Sequence, residues 1–121
     1  MTISVLAVDD SRTMRDMITL ALKEEDFEVH LAEDGQHGLD VLDGLEPDVI
    51  ITDINMPRLD GFGFIDAIRD RSETKHTPIL VLTTESSPDL KARARESGAT
   101  GWIVKPFAQD KLIRALRMVA G

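Results

Sequence analysis

The chain has 121 residues, of which 42% are hydrophobic and 30% charged, a balance that suits one globular domain and excludes a disordered segment. With 22 acidic against 14 basic side chains the formal charge is -8, which argues against nonspecific binding to nucleic acid or to an anionic membrane. Cysteine is absent, so a disulfide framework, a thiolate metal site and a cysteine nucleophile are excluded.

In the first half of the chain, short apolar runs alternate with stretches whose apolar residues recur at helical spacing. The runs predict strands at 4–8, Phe27–Ala32 and Val49–Thr52. Ser11 and Asp34 stand where they can cap the two helices between these strands. The predicted apolar faces are Met14, Met17, Ile18, Ala21 and Leu22 for the first helix, and Leu39, Leu42 and Leu45 for the second.

The second half of the chain continues this alternation with three helices and two strands. The stretch 78–84 predicts the most apolar strand, and Gly101–Val104 predicts the fifth. Between them, Ser87 and the proline after it are typical of a helix start, and Gly98 of a helix end. A final helix is predicted over 107–119. The inward positions are Phe64, Ile65 and Ile68 in the third helix and Leu112, Leu116 and Val119 in the last.

Five strands that alternate with five helices predict an α/β fold, a doubly wound parallel sheet with helices on both faces. The first, third and fourth strands are apolar throughout, as expected for strands covered on both sides. The second strand, FEVHLA, alternates apolar and polar residues and is predicted to lie at an edge. No repeat, linker or low-complexity segment interrupts the pattern, so we expect one domain over 1–121.

Polar residues at the strand ends are predicted to share one site, because a ligand crevice lies beyond the carboxyl ends of parallel strands. They are Asp9 and Asp10 after the first strand, Asp53 and Asn55 after the third, Thr83 and Thr84 at the end of the fourth, and Lys105 after the fifth. Carboxylates brought together repel unless a cation offsets them, and oxygen ligands suit Mg²⁺ or Mn²⁺ better than Zn²⁺. With a metal, an ammonium and a hydroxyl around it, Asp53 is placed to act as a nucleophile and become an acyl phosphate.

These residues, together with the KPF triplet at 105–107, make the chain resemble response-regulator receiver domains from Val5 to its end. The resemblance implies a flavodoxin-like sheet with strand order 2-1-3-4-5. It also implies that Asp53 accepts a phosphoryl group from a histidine kinase in a Mg²⁺-dependent reaction. The implied metal ligands are the side chains of Asp10 and Asp53 and the backbone carbonyl of Asn55, with Asp9 acting mainly through water.

The resemblance further implies a conformational switch and residues that set the rate of dephosphorylation. Lys105 would pair with the phosphoryl oxygens, Thr83 would move to hydrogen-bond one of them, and Trp102 would turn inward in response. The bond between Lys105 and the proline after it is usually cis in this family. Asn55 and Glu85 occupy the positions that tune dephosphorylation, and this pairing predicts a phosphoryl state lasting seconds to minutes. Thr84 stands where alanine is commonest, which is expected to narrow access to the site.

Within the family the likeness is greatest to single-domain chemotaxis regulators, so we expect a monomer with no effector domain. A CheA-like histidine kinase would be the donor and a flagellar motor switch protein the target, bound through the fourth helix, fifth strand and fifth helix. Basic residues on those helices are Lys91, Arg93, Arg95, Lys111, Arg114 and Arg117. Lys111, Arg114 and Arg117 recur at three-residue spacing and form a basic stripe on the fifth helix, and such a stripe is more often only a solvated face. A phosphotransfer protein in a relay, or a role as a phosphate sink, remains an open alternative.

Two other functions compete on this fold. A Mg²⁺-dependent phosphohydrolase of the haloacid-dehalogenase kind needs a second aspartate two residues after its nucleophile. Here Asp9 is followed at that distance by Ser11, and Asp53 by Asn55. A flavin or nucleotide module needs a glycine-rich phosphate loop, which the strand ends lack. We therefore expect a phosphoacceptor switch, not an enzyme acting on other substrates.

The N-terminal stretch MTISVLAVDD has no basic region and reaches acidic residues too early for a signal peptide. No apolar run approaches the length of a membrane span. We therefore expect a soluble cytoplasmic protein. The histidines His30, His37 and His76 show no ligand spacing, so no metal is assigned to them.

Overall fold

A computed structural model describes residues 2–23 and 26–120, and its strands and helices alternate along the chain. The strands are β1 (Ile3–Val8), β2 (Phe27–Ala32), β3 (Val49–Thr52), β4 (Ile79–Thr83) and β5 (Gly101–Val104). The helices are α1 (Arg12–Leu22), α2 (Gly35–Leu42), α3 (Gly61–Arg69), α4 (Pro88–Ser97) and α5 (Gln109–Ala120).

The strands form one parallel sheet in the order β2-β1-β3-β4-β5, which confirms the strand order and the flavodoxin-like fold that the resemblance implied. β2 lies at an edge, as its alternating sequence predicted. Every residue of β3 and β4 is buried, because both strands lie inside the sheet with helices on both sides. This arrangement carries the segments that follow β1, β3, β4 and β5 to one edge of the sheet.

Each face of the sheet has its own apolar core. α1 and α5 cover one face, and α2, α3 and α4 cover the other. The large helical side chains that are fully buried are Ile18, Leu22, Leu112 and Leu116 on the first face and Phe64, Ile65 and Ile68 on the second. Burying one such side chain contributes about 1.5–3 kcal/mol, so both helical layers hold the sheet in place.

The predicted helix ends are present. Ser11, Asp34 and Ser87 cap α1, α2 and α4, each accepting a hydrogen bond from the backbone N–H three residues further on. Pro88 occupies the first turn of α4, and Gly98 ends that helix in the left-handed conformation, with φ 114°. An N-terminal cap of this kind contributes about 1 kcal/mol.

Three predicted elements have boundaries that are wrong by one or two residues. β1 begins at Ile3, one residue earlier than predicted, and β4 covers Ile79–Thr83 instead of 78–84. α5 begins at Gln109, not at 107, because its first helical hydrogen bond runs from Leu112 N–H to the carbonyl of Ala108 at 3.0 Å. Phe107 packs against the core beneath α1 and α5 instead of starting the helix.

Two predicted core positions also differ. Leu45 lies past the end of α2, where it packs partly buried against the core from the following loop. Met17 is 40% exposed, because it lies at the rim of the apolar face of α1. In the part of the chain that the structure describes, no helix has both the length and the apolar character needed to cross a membrane.

Candidate functional site

The sheet register brings the ends of β1 and β3 side by side. Val8 pairs with Thr52, and the Asp53 N–H donates a hydrogen bond to the Val8 carbonyl at 3.1 Å. Asp9 and Asp53, which follow these paired residues, therefore leave the sheet at the same level. Burial of the whole of β3 fixes the point from which the Asp53 side chain projects.

The register of β4 and β5 delivers the remaining groups in the same way. Thr83 pairs with Val104, and the Lys105 N–H donates to the Thr83 carbonyl at 2.8 Å. The bond between Lys105 and Pro106 is cis, as the resemblance implied. The hydroxyl and the ammonium thus reach the same edge as the carboxylates.

Three carboxylates converge at this edge. Asp9, Asp10 and Asp53 each offer an oxygen, and these oxygens lie within 4.8 Å of one another. Asp9 and Asp53 are buried and Asp10 is exposed, so the cluster opens to solvent on one side. A cluster of carboxylate oxygens with room for water is the kind of ligand set that Mg²⁺ prefers in proteins.

Lys105 offsets part of this negative charge. Its Nζ lies 2.8 Å from Asp9 Oδ2 and 2.8 Å from Asp53 Oδ2. Burial tends to lower the pKa of Lys105, but its hydrogen bonds to Asp53 and Asp9 outweigh that effect and raise the pKa above the ordinary value. The ammonium therefore stays charged between the two buried carboxylates.

Both carboxylate oxygens of Asp9 accept hydrogen bonds from the protein. Oδ2 accepts from Lys105, and Oδ1 accepts from the Ser11 N–H at 2.9 Å. Burial raises the pKa of Asp9, and these hydrogen bonds only partly oppose the rise. Both carboxylate oxygens of Asp9 are therefore held by other groups of the protein.

Asp53 is held just as firmly. Its Oδ1 accepts from the Ile54 N–H at 2.6 Å while Oδ2 accepts from Lys105, and its carbonyl accepts from the hydroxyl of Thr52 at 2.8 Å. The carboxylate is 11% exposed at the side chain, which leaves it reachable from the open side of the cluster.

Glu85 connects the groups that were predicted to form the switch. Its backbone N–H donates to Thr83 Oγ1 at 3.4 Å, and its carbonyl accepts from Trp102 Nε1 at 3.0 Å. Its carboxylate accepts from Asn55 Nδ2 at 3.3 Å, across the mouth of the site. Thr83 is fully buried, whereas the neighbouring Thr84 is exposed.

Two contacts that fix the site were not predicted from the sequence. One is the hydrogen bond from Arg15 Nη1 to the carbonyl of Asp9 at 2.7 Å, which ties the first turn after β1 to α1. The other is the contact of Trp102 with the main chain of Glu85. Both acceptors are backbone carbonyls, which every residue type carries, so no side-chain pattern could have indicated them.

The basic residues of α4 and α5 do not form one uniform face, although all six are exposed. The guanidinium of Arg93 stacks on the ring of Phe62 in α3, 3.9 Å from its centroid, and Arg117 lies over Phe27 at the start of β2, 5.9 Å from its centroid. Lys91 and Arg95 instead line a cavity of about 70 Å³ with Trp102, between α4 and β5. Two of the six basic residues, Lys91 and Arg95, therefore share a cavity with the predicted switch residue Trp102.

The chain belongs to the response regulator receiver domain family, which matches residues 5–117. Receiver domains are phosphoacceptor switches that take phosphate from histidine kinases, bind Mg²⁺ at an acidic pocket and act on downstream targets. Among individual relatives, a probable chemotaxis protein CheY of Rhizobium etli is 35% identical over 120 residues, 98% of this chain and 93% of the relative. The response regulator MprA of Mycolicibacterium vanbaalenii is 34% identical over 117 residues, 97% of this chain, but the chain spans only 50% of that relative.

Solved structures of response regulators and receiver domains are similar to this chain over nearly its whole length. The chemotaxis response regulator CheY4 of Vibrio cholerae is 45% identical, with a TM-score of 0.92 and coverage of 98% of this chain and 99% of that one. The receiver domain of the sensor histidine kinase PA1611 of Pseudomonas aeruginosa is 25% identical, with a TM-score of 0.92, and covers 100% and 99% of the two chains. That receiver domain holds a magnesium ion in its active-site cleft.

Proposed function

We propose that this protein is a response regulator in which Asp53 accepts a phosphoryl group from a histidine kinase. The observation that carries the proposal is the position of Lys105 Nζ, 2.8 Å from both Asp53 and Asp9, beside a third carboxylate that is open to solvent. Four separate segments of the chain supply these groups and Thr83, an arrangement that a stable fold does not require.

The residues at this edge fit a divalent cation. Asp10 and Asp53 would hold Mg²⁺ by their carboxylates, Asn55 by its backbone carbonyl, and Asp9 through water. Bound there, the ion would neutralise charge on the carboxylates and on the oxygens of the incoming phosphoryl group.

In the proposed transfer, an Asp53 carboxylate oxygen attacks the phosphorus of a phosphohistidine. The O–P bond forms as the P–N bond breaks, and the imidazole leaves with the electron pair. Lys105 is charged and already in contact with Asp53, so it can shift its hydrogen bond to a phosphoryl oxygen. Lys105 would thus offset part of the new negative charge, together with the Mg²⁺ ion held by the carboxylates.

We propose that Thr83 transmits the change. Its hydroxyl accepts the Glu85 N–H, and Glu85 in turn holds the indole of Trp102. If the hydroxyl turns to a phosphoryl oxygen, this connection is altered, and Trp102 and the adjoining surface of α4, β5 and α5 change with it. For such a switch to work, the phosphoryl group must interact more favourably with one of the two conformations than with the other. Its added negative charge provides that difference.

The side chains of Asn55 and Glu85 bear on the lifetime of the proposed phosphoryl state. They meet across the mouth of the site at 3.3 Å, beside the path that attacking water would take. We propose a lifetime of seconds to minutes, and an assay of phosphate release that gave hours would contradict it. The exposed Thr84 is proposed to narrow the same approach.

For the output we propose control of the flagellar motor in chemotaxis, with a CheA-like kinase as donor and a motor switch protein as target. The support is the likeness to two chemotaxis regulators, of which the chain spans 93% and 99%. Relay to a phosphotransfer protein, or service as a phosphate sink, is the alternative. Pull-downs with the phosphorylated and the free protein against the motor switch protein, the kinase and the phosphotransfer protein separate these outputs.

The test of the phosphoacceptor is labelling with acetyl phosphate and Mg²⁺, followed by intact mass spectrometry. We expect stoichiometric labelling of the wild type, loss of labelling with EDTA, and loss in Asp53→Asn. Asp66→Asn, which changes an exposed carboxylate of α3, serves as the matched control and should label normally. Full labelling of Asp53→Asn would place the acceptor elsewhere, and turnover of an unrelated phosphomonoester would favour a phosphohydrolase.

A further inference from the structure

Three residues after Asn55, Arg58 lies in the loop from β3 to α3 and contacts α2. Its Nε donates to Asp34 Oδ2 at 2.7 Å, and its Nη2 donates to Asp34 Oδ1 at 3.0 Å. The Asp34 side chain is 7% exposed and that of Arg58 58% exposed, so the arginine covers a buried carboxylate from the solvent side. Two charge-assisted hydrogen bonds in a fork fix the orientation of both partners.

The backbone of Arg58 indicates that this contact shapes the loop. Among residues 2–23 and 26–120, Arg58 is the only non-glycine residue with a positive φ, at 64°. A side chain makes this conformation costly, and glycine adopts it freely. The ion pair with Asp34 offsets that cost, because it forms only when the loop brings the guanidinium over α2.

The same loop also touches α2 through its main chain. The N–H of Gly35 donates to the Leu59 carbonyl at 3.2 Å, and a Cβ at Gly35 would lie 2.5 Å from that oxygen. Asp34 meanwhile caps α2 through the N–H of His37 at 2.8 Å. The loop is therefore fastened to a helix end that is itself fixed.

The far end of the loop is tied back to its beginning, two residues after β3, because the Gly61 N–H donates to the Ile54 carbonyl at 2.8 Å. Asn55 lies between this bond and the contacts of Arg58 and Leu59 with α2. The direction of the Asn55 carbonyl therefore depends on both attachments.

We propose that Asp34 and Arg58 are a positioning pair, which holds the loop between β3 and α3 so that the Asn55 carbonyl faces the metal position. The pair acts through the loop and is not a metal ligand. This inference rests on the proposed Mg²⁺ site and adds to it two residues from outside the carboxylate cluster.

The test is the dissociation constant for Mg²⁺, measured by titration calorimetry on the full chain without any phosphodonor. Arg58→Gly removes the pair and leaves a residue that favours the same backbone conformation, and Asp34→Asn removes the pair and leaves an oxygen to cap α2. We expect each variant to raise the Kd for Mg²⁺ roughly tenfold, as loss of an outer support of a metal site does. The double variant should add little to either single one, because both remove the same interaction.

Arg71→Ala is the matched control. It breaks the ion pair from Arg71 Nη2 to Asp43 Oδ1, 3.1 Å long, beyond the opposite end of α2. Arg71→Ala should leave the Kd for Mg²⁺ unchanged. Arg58→Lys should bind Mg²⁺ more tightly than Arg58→Gly does, but less tightly than the wild type. Urea unfolding of each variant confirms that the titrated protein is folded.

The possible failures are distinguishable. If the wild type binds Mg²⁺ and both Arg58→Gly and Asp34→Asn bind it equally well, the positioning pair is overturned and the proposed function stands. An increase in Kd in Arg71→Ala as large as in Arg58→Gly also overturns it, because it would reflect general destabilisation. If the wild type itself binds no Mg²⁺, the proposed metal site fails, and the positioning pair fails with it.

Discussion

Lys105 carries a positive charge that touches both buried carboxylates of the site, Asp9 and Asp53. Buried like charges are costly unless they are paired and hydrogen-bonded. The side chain of Lys105 is 10% exposed, so its charge is little screened by water and acts strongly on its two partners. The same residue can therefore stabilise the resting cluster and the proposed transfer.

We predict that Lys105→Met lowers the rate of phosphorylation by acetyl phosphate about 100-fold, the usual loss when a preorganised donor to a developing charge is removed. The measurement is the initial rate of labelling at saturating Mg²⁺. Lys75→Met, at an exposed position between α3 and β4, is the control and should keep the wild-type rate. An unchanged rate in Lys105→Met would show that the ammonium takes no part in the transfer.

The pair of Asp34 and Arg58 makes a prediction about pH. The hydrogen bonds from Arg58 lower the pKa of Asp34 below its ordinary value of 3.8. A carboxyl group with a lowered folded-state pKa stabilises the fold above the unfolded-state pKa, and that stabilisation is lost as the pH falls through the folded-state value. The contribution of Asp34 should thus be complete at neutral pH and disappear progressively below about pH 4.

The measurement is the urea midpoint of the wild type, Asp34→Asn and Arg58→Met at pH 7 and at several values below pH 4. Both variants should be less stable than the wild type at pH 7 and should approach it in acid. In Arg58→Met the buried carboxyl loses its cation, so its protonation at low pH relieves the variant. A difference from the wild type that stays constant through the acid range would contradict the assigned role.

Among the helices, α4 buries little of its own surface and is held in place at its C-terminal end. Ala94 is the only residue of this helix that is fully buried. At its C-terminus, however, Arg69 of α3 donates to the Gly98 carbonyl from Nε at 3.2 Å and from Nη2 at 2.8 Å. Another Arg69 nitrogen, Nη1, donates to the Thr74 carbonyl at 3.0 Å. A cation at a helix C-terminus is favourable, because the last carbonyls carry partial negative charge.

We predict that Arg69→Met destabilises the protein by about 2–3 kcal/mol, because several hydrogen bonds from a charged group are lost and partly buried carbonyls are left without donors. Urea unfolding at neutral pH gives the value. Lys91→Met, at an exposed position on α4 itself, is the control and should change stability far less. Equal losses of stability in the two variants would mean that the hydrogen bonds from Arg69 to the Gly98 carbonyl do not hold α4 in place.

At the scale of the whole molecule, the charge is divided unevenly along the chain. Residues 1–75 carry 18 acidic and 7 basic side chains, whereas residues 76–121 carry 4 acidic and 7 basic ones, so the net charges are -11 and +3. The segment 76–121, which contains β4, α4, β5 and α5, therefore has a net positive charge in a protein that is acidic as a whole. An acidic surface on the target would be attracted to this segment, and the attraction would weaken as salt is added.

Binding of Mg²⁺ is expected to stabilise the folded protein as a whole. Mg²⁺ bound to the folded state alone should raise its free energy of unfolding, by about 2.7 kcal/mol when the ion is at 100 times its Kd. EDTA should reverse the gain, and NaCl at matched ionic strength should not reproduce it. The measurement is the urea midpoint with and without the ion.

Asp10→Asn is the informative variant, because Asp10 is the exposed member of the carboxylate cluster. It should lose most of the stabilisation by Mg²⁺. In EDTA it should be at least as stable as the wild type, since one of three repelling carboxylates has been neutralised. Undiminished stabilisation of Asp10→Asn by Mg²⁺ would place the ion elsewhere.

The features that depend on near neighbours along the chain could be predicted from the amino-acid sequence. Ser11, Asp34 and Ser87 could be predicted as caps because a cap needs only the backbone three residues further on. Asp53 and Lys105 could be predicted to meet because each directly follows a strand, and parallel strands end at one edge. The strand order came from the family resemblance, since alternation of strands and helices leaves that order open.

Contacts between residues that are distant in sequence follow from the folded path of the chain. Arg58 reaches Asp34 across 24 residues, and Arg69 reaches the carbonyl of Gly98 across 29. The side chain of Arg93 in α4 lies over the aromatic ring of Phe62 in α3, a contact that the spacing of the basic residues does not indicate. Such contacts depend on the path of the backbone and on carbonyls common to all residues. No local pattern of residue types encodes them.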